Sequence, residues 1–129
     1  MTAGMKATLA TLPTSFFRAV DNRDIDAVLA HFSPDATFTV QTDNVTYTGE
    51  SEIRAMFTKL INSAQTISHE VTGTVVDLAR GRIATEQRFT VQYADGTSTE
   101  TCNGSFFDVG QDGKFTRFVV WMSGVNPVK

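Results

Sequence analysis

Several features are scarce or absent in this chain, and each absence narrows what the protein can be. Its single cysteine, Cys102, excludes an internal disulfide. No run of Lys or Arg occurs and the formal net charge is −3, which disfavours nucleic acid as a partner. No apolar stretch is long enough to cross a bilayer, and residues 1–11 lack the charged start and apolar middle of a signal peptide. The sequence therefore predicts a cytoplasmic protein that binds neither nucleic acid nor membrane.

Motifs for metal binding and nucleophilic catalysis are also missing. The His, Cys, Asp and Glu residues do not recur at metal-ligand spacing, and a pair such as His31 with His69 is too little for a site. No Gly-x-Ser-x-Gly elbow is present. We therefore expect neither a metal nor a cofactor.

The chain does contain enough apolar sequence for one core. Its 129 residues suit a single domain spanning residues 1–129. Hydrophobic residues at 41% and charged residues at 19% are typical of a globular protein. Ten Phe are many for this length, and they could line a core, a pocket or an interface.

The strongest pattern lies in the C-terminal third, which predicts three long strands at residues 82–93, 98–109 and 114–123. Asp-Gly separates the strands at Asp95-Gly96 and Asp112-Gly113. This pair favours tight hairpins because Gly adopts a positive φ without steric cost. The result is an antiparallel meander, one face of which must pack against helices.

Three helices and three further strands are predicted before the meander. The helices cover residues 13–22, with an earlier start left open, then 25–32, capped by Asp24, and 49–63. Alternation predicts strands at 36–41, 45–48 and 67–77, the last of which carries His69.

Three segments carry a resemblance to one superfamily. Residues 24–36 contain Asp-hydrophobic-Asp followed by Phe-x-x-Asp-Ala, and residues 49–57 contain Gly followed by Ile-Arg-x-hydrophobic-Phe. Residues 112–115, followed by Trp121, resemble a closing strand. Together they resemble the nuclear transport factor 2-like superfamily, in its SnoaL-like and ketosteroid-isomerase-like branch. The resemblance implies an α+β cone, in which three N-terminal helices pack on a strongly curved, mainly antiparallel sheet that encloses a pocket.

The resemblance also locates positions at which relatives carry catalytic groups. The Asp base of ketosteroid isomerases falls on Val40, their Tyr positions fall on Phe16 and Phe57, and their oxyanion-binding Asp falls on Ser105. The acid/base Asp of SnoaL-like cyclases falls near Met122. These substitutions predict that the chain uses neither mechanism.

Two alternatives remain open for the facing of the strand at residues 82–93. The family alignment turns inward Glu86, Arg88, Thr90 and Gln92, together with Asn103, Ser105 and Phe118 on the next strands. Periodicity alone instead buries Ile83, Phe89, Val91 and Tyr93. In the first alternative Glu86 and Arg88 pair inside the pocket or meet a ligand, since buried charge is costly unpaired. In the second they are a solvated or rim pair that contributes little.

The candidate site follows from the first alternative. His69 or Glu86 would move a proton, while Arg88 or Asn103 would stabilise charge developing on an oxygen. A structural or rim role is the alternative for His69. The candidate ligand-binding residues are Phe16, Val40, Phe57, Gln92, Asn103, Ser105, Phe118 and Met122. They predict either a small enzyme acting on a hydrophobic or carbonyl-bearing metabolite, of isomerase, cyclase, dehydratase or hydrolase type, or a non-catalytic ligand-binding or dimerisation module.

The first alternative also predicts a homodimer. It leaves an apolar surface on the outer face of the sheet that a monomer would not expose, formed by Ile83, Phe89, Val91, Tyr93, Phe106 and Trp121.

Overall fold

The computed structural model describes residues 3–124 and 126–127, with side chains from residue 8 onward. The described helices are α1 (Ala3–Asp21), α2 (Ile25–Ala30) and α3 (Gly49–Ser63). The strands are β1 (Phe32–Val40), β2 (Val45–Thr48), β3 (Thr66–Asp77), β4 (Arg82–Gln92), β5 (Ser98–Val109) and β6 (Phe115–Met122). None of the described helices is both long and apolar enough to cross a membrane.

The strands form one six-stranded sheet in the order β2-β1-β6-β5-β4-β3. Neighbouring strands are antiparallel except for β1 and β6, which run parallel. The predicted meander corresponds to β4, β5 and β6, and β3 extends it by another antiparallel strand. Helix α1 packs on β3 and α3 packs on β1, so the helices cover one face of the curved, unclosed sheet. The predicted α+β cone is confirmed.

Both predicted Asp-Gly turns are present. Gly96 and Gly113 have φ of 88° and 81°, where a side chain would be strained. The Asp95 carboxylate accepts hydrogen bonds from the Thr97 hydroxyl at 2.6 Å and the Thr97 N–H at 3.0 Å. These bonds favour the charged form and hold the pKa of Asp95 below its ordinary value.

Two helix boundaries differ from the prediction. Helix α1 begins well before Pro13, because Leu9 and Leu12 continue its apolar side and pack against the core. Helix α2 ends at Ala30 and not at Phe32. Phe32 already belongs to β1 and pairs with Phe115 across the parallel register, a contact that local sequence cannot indicate.

The phenylalanine residues mainly build the core. Phe16 is 1% exposed and stands at its centre. Its ring lies 5.3 to 5.7 Å from five other Phe rings, all at steep interplanar angles. Such edge-to-face pairs add about 0.5–1.5 kcal/mol each beyond the burial of area. The rings contacted are Phe17, Phe32, Phe57, Phe115 and Phe118.

The facing of β4 corrects the alignment-based prediction. Glu86, Arg88 and Gln92 are exposed on the outer face, whereas the alternate residues are buried. The facing predicted from the alternation of residues is therefore correct. Side chains of a strand alternate between its two faces, so Phe89 and Val91 point inward while the charged side chains remain in water. Arg88 pairs across the strands with Glu100, at 3.1 Å, and not with Glu86. The buried set is Ile83, Thr85, Gln87, Phe89 and Val91.

The same correction applies to the outer apolar surface. Ile83, Phe89 and Val91 are buried and are not part of it, and Tyr93 is partly buried against the core. Phe106 and Trp121 do face outward, at 41% and 43% exposed.

Candidate functional site

A cavity lies between α1, α3 and the inner face of the sheet. The space open to the centres of water molecules is about 40 Å³, inside an envelope of about 490 Å³ that includes the open mouth. Because one water needs roughly 10–15 Å³ of such space, the cavity holds a few waters unless flexible side chains such as Met56 and Met122 move. The lining is formed by Phe16, Phe17, Val20, Phe38, Val40, Met56, Phe57, Leu60, His69, Gln87, Phe89, Asn103, Phe118, Val120, Met122, Asn126 and Pro127.

An aspartate on α1 holds the one histidine in this lining. The Nδ1–H of His69 donates to Asp21 Oδ1 at 2.6 Å, and the backbone N–H of His69 donates to Asp21 Oδ2 at 2.9 Å. Both carboxylate oxygens of Asp21 therefore accept hydrogen bonds from the same residue, His69. The side chains are 9% and 23% exposed for His69 and Asp21, so the pair is only partly screened by solvent.

The ring of His69 is also fixed on both faces. It stacks on Phe17 at 4.5 Å with an interplanar angle of 15°, and on Phe89 at 4.6 Å with an angle of 19°. Phe17 comes from α1 and Phe89 is the direct cross-strand partner of His69 on β4. The imidazole is thus held in one orientation by packing and by hydrogen bonding together.

This arrangement sets the chemistry of the remaining ring nitrogen. Because Nδ1 carries the proton given to Asp21, Nε2 of the neutral ring carries a lone pair. Nε2 has no hydrogen-bond partner among the residues that the structure describes. A bare imidazole nitrogen with an oriented ring can accept a proton from a bound molecule and return it.

The other histidine in the chain offers a contrast. The Nδ1–H of His31 donates to the Ala27 carbonyl at 2.7 Å, and its Nε2 accepts from the Ser15 hydroxyl at 2.9 Å. Both nitrogens of His31 are thus used within the protein, outside the cavity lining. His31 has the pattern of a structural histidine, and His69 does not.

Polar side chains on β4 and β5 form part of the cavity wall. Gln87 accepts from the Thr85 hydroxyl at 2.7 Å and donates to the Ser105 hydroxyl at 2.6 Å. Asn103 is the direct cross-strand partner of Gln87 and is 6% exposed. The Asn103 amide makes no hydrogen bond within the described chain, and its Oδ1 is fully buried.

The predicted site residues separate into three groups. Those that line the cavity are His69, Phe16, Val40, Phe57, Asn103, Phe118 and Met122. Ser105 is buried on the same face but is bonded to Gln87. Glu86, Arg88 and Gln92 lie on the outer face, so their predicted place in the pocket is wrong. Gln92 instead accepts a hydrogen bond from the Thr66 hydroxyl at 2.9 Å.

Sequence reasoning missed Asp21 and Gln87. A signal for Asp21 was available, because a carboxylate in the last turn of a helix opposes the helix dipole and needs another reason to be there. Gln87 would have followed from the period-two pattern of β4. Within the described part of the chain, no group of three or more His, Cys, Asp or Glu residues could hold a metal ion.

Comparison with known families agrees with this architecture. The model of the SnoaL-like domain matches residues 14–118, which include α2, α3 and nearly all of the sheet. The chain belongs to the SnoaL-like domain family. No curated protein sequence shows a significant match to this SnoaL-like chain.

Solved structures share the SnoaL-like fold at low sequence identity. A protein of Novosphingobium aromaticivorans, provisionally assigned as an aromatic ring hydroxylase, is 23% identical, with a TM-score of 0.84 over 97% of this chain and 93% of that one. SalBIII, an epoxide hydrolase/cyclase-like enzyme in pyran ring formation of salinomycin, is 16% identical, with a TM-score of 0.82 over 92% of both chains. A Catenulispora acidiphila protein with a ketosteroid isomerase-like fold is 13% identical, with a TM-score of 0.75 over 84% of this chain and 82% of that one. At these identities the likeness concerns the fold alone.

Proposed function

We propose that this SnoaL-like protein is an enzyme that moves a proton within its cavity, with His69 as the general base and then the general acid. The observation that carries the proposal is the state of the His69 ring. It is clamped by Asp21, stacked between Phe17 and Phe89, and left with one unpaired nitrogen. An oriented base of this kind contributes about 10²–10⁴-fold to the rate of a proton transfer.

Asp21 has a positioning role in this scheme. Its carboxylate fixes the tautomer with Nδ1–H, so the lone pair stays on Nε2. When Nε2 takes a proton from the substrate, the positive charge on the ring lies 2.6 Å from the carboxylate and is stabilised there. The same proton is then available for return to another atom of the substrate.

The lining indicates what kind of substrate would react. Most of it is aromatic or aliphatic, which favours a small and mainly apolar molecule. The Asn103 amide supplies a hydrogen-bonding group for an oxygen that gains charge during proton transfer. Isomerisation, dehydration or ring closure of a hydrophobic or carbonyl-bearing metabolite are reactions that need only these groups.

The activity can be tested without the natural substrate. In the Kemp elimination of 5-nitro-1,2-benzisoxazole, a base removes the proton from C3, the N–O bond breaks and a coloured cyanophenolate forms. We expect saturable turnover by the wild-type protein. Replacing His69 by Gln should lower kcat/KM by about 100-fold, because Gln cannot act as the base although its side chain has a volume similar to that of His. Asp21→Asn should lower it by about tenfold through a disturbed tautomer.

His31→Gln is the matched control, because it removes the chain's other histidine outside the cavity. It should leave the elimination rate within about twofold of the wild type. Equal rates for wild type and His69→Gln would contradict the proposal. Binding of the probe without turnover would favour the alternative, a non-catalytic ligand-binding module.

A further inference from the structure

Two buried polar atoms on β5 have no hydrogen-bond partner among the residues that the structure describes. They are Oγ1 of Thr101 and Oδ1 of Asn103, on side chains that are 5% and 6% exposed. Leaving such groups unpaired is costly, so folded proteins rarely keep them without a use. The neighbouring buried side chains of Thr85 and Ser105 are both hydrogen-bonded to Gln87. Among the described residues, the buried side-chain atoms without partners therefore lie on one strand, β5.

Asn103 shares the cavity with the reacting group proposed above, and Thr101 is its neighbour on the same strand face. Thr101 is the cross-strand partner of Phe89, which in turn is the partner of His69. Asn103 is two residues further along β5 and lines the cavity directly. Alternate residues of a strand point to the same face, roughly 7 Å apart along it. A small group hydrogen-bonded to Asn103 would therefore lie in the same cavity as His69, on the strand face that Thr101 shares.

The chemistry of the two side chains limits what this group can be. Neither the oxygen nor the nitrogen of the Asn103 amide makes a hydrogen bond within the described chain. Rotating the amide by 180° therefore does not alter the conclusion that both a donor and an acceptor are free. The Thr101 hydroxyl adds another donor and acceptor. No Lys or Arg is among the described residues that line the cavity, which disfavours a carboxylate or phosphate. A hydroxyl group both donates and accepts without charge, and so fits.

We propose that Thr101 and Asn103 form a subsite for a hydroxyl group, so that the substrate of the His69 reaction is an uncharged, mainly apolar molecule bearing an alcohol, phenol or enol. This inference rests on the proposed function for the identity of the reacting molecule. The subsite itself does not depend on turnover and can be tested by binding alone.

Three probes of similar size separate the possibilities: phenol, toluene and benzoate. Phenol and toluene differ by a hydroxyl in place of a methyl group, and benzoate carries a negative charge. Titrations followed by NMR should show that the wild type binds phenol about tenfold more tightly than toluene, with shifts of the Asn103 side-chain amide signals. Benzoate should bind more weakly than either.

Variants assign the preference to these side chains. Asn103→Leu should abolish the preference for phenol, and Thr101→Val should reduce it by several-fold. Thr99→Val is the matched control on the same strand, since the Thr99 hydroxyl is not one of the buried unpaired atoms, and it should leave the preference unchanged. Equal affinity for phenol and toluene, or a preference that survives Asn103→Leu, would overturn the proposal.

The ligand-free protein gives a second, independent readout. If the two polar atoms serve a ligand, Asn103→Leu and Thr101→Val should leave the melting temperature unchanged or raise it, because each removes an unpaired buried group. A fall of several degrees in both variants would assign these groups to the fold and overturn the subsite.

The two proposals can fail separately. A phenol preference without His69-dependent Kemp elimination would refute the catalytic role and keep the subsite. His69-dependent elimination without a phenol preference would refute the subsite and keep the catalytic role.

Discussion

At the scale of single residues, the geometry of His69 depends on partners from two elements. Asp21 and Phe17 are supplied by α1, and Phe89 by β4. Stacking limits rotation of the ring, but only the carboxylate distinguishes one ring nitrogen from the other. The tautomer therefore depends on Asp21 more than on packing.

This dependence predicts the effect of Asp21→Asn. An amide in place of the carboxylate can present its NH₂ to Nδ1, so part of the neutral His69 population should move to the tautomer with Nε2–H. The variant should also lose about 1–2 kcal/mol of unfolding free energy, since a partly exposed charge-assisted hydrogen bond is weakened. Nitrogen-15 spectra of the histidine rings would measure the first effect and urea denaturation the second.

Ser15→Ala is the corresponding control for the other histidine. It removes the partner of His31 Nε2, so it should change the ring spectrum of His31 and leave that of His69 as it is. A His69 tautomer unaffected by Asp21→Asn would show that the stacked rings alone determine it.

At the scale of elements, the end of α3 depends on a residue from a distant loop. The Arg23 guanidinium donates to the carbonyls of Ile61, Ala64 and Gln65 at 2.9, 2.8 and 2.7 Å. At the C-terminal end of a helix the carbonyls have no backbone N–H partner within the helix, and a cation there also complements the helix dipole. Arg23 adopts a φ of 61°, which is uncommon outside glycine and indicates that this position is held by its contacts.

We expect Arg23→Lys to destabilise the protein by about 1–2 kcal/mol. A single ammonium keeps the charge but cannot reach several carbonyls from one planar fork. Amide hydrogen exchange should quicken in the last turn of α3 more than in the sheet. Arg18→Lys is the matched control, because the exposed side chain of Arg18 makes no hydrogen bond or ion pair within the described chain. Equal stability of the two variants would contradict the capping role.

At the scale of the whole molecule, the outer face of the sheet favours a second copy of the chain, and we propose a homodimer through it. Phe106 and Trp121 are exposed and contact each other at 5.5 Å, while Val75 is 69% exposed. Gly104 lies beside Trp121 in the register, and an added Cβ there would meet no atom of the described residues within 4 Å. Neither sterics nor φ explains this glycine within one chain, but close approach by another chain would.

Light scattering should therefore give twice the chain mass of 14.1 kDa at micromolar concentration. Trp121→Glu should dissociate the dimer, because an unpaired charge would be buried at its centre. Val45→Glu is the control, a similar change at an exposed apolar position on the edge strand β2. A wild-type monomer would refute the dimer, and a Trp121→Glu dimer would place the interface elsewhere.

Local sequence by itself determined most of the elements of this protein. The apolar spacing of α3, the alternation of β4 and the two Asp-Gly turns are local patterns, because helix period, strand period and turn conformation depend on neighbouring residues. The bounds of β5 and the inward facing of Phe89 followed from such patterns alone. The facing of β4 inferred from the family motifs placed Glu86 and Arg88 on the inner face of the sheet, which is wrong.

The candidate site was decided only by the tertiary structure. Asp21 and His69 are 48 residues apart, and nothing in either segment indicates the other. The lack of a partner for Asn103 likewise depends on which side chains β4 and β6 bring beside it. Strand register and helix docking set these distances, and both are determined by burial of the whole apolar surface. A motif of neighbouring residues therefore cannot encode them.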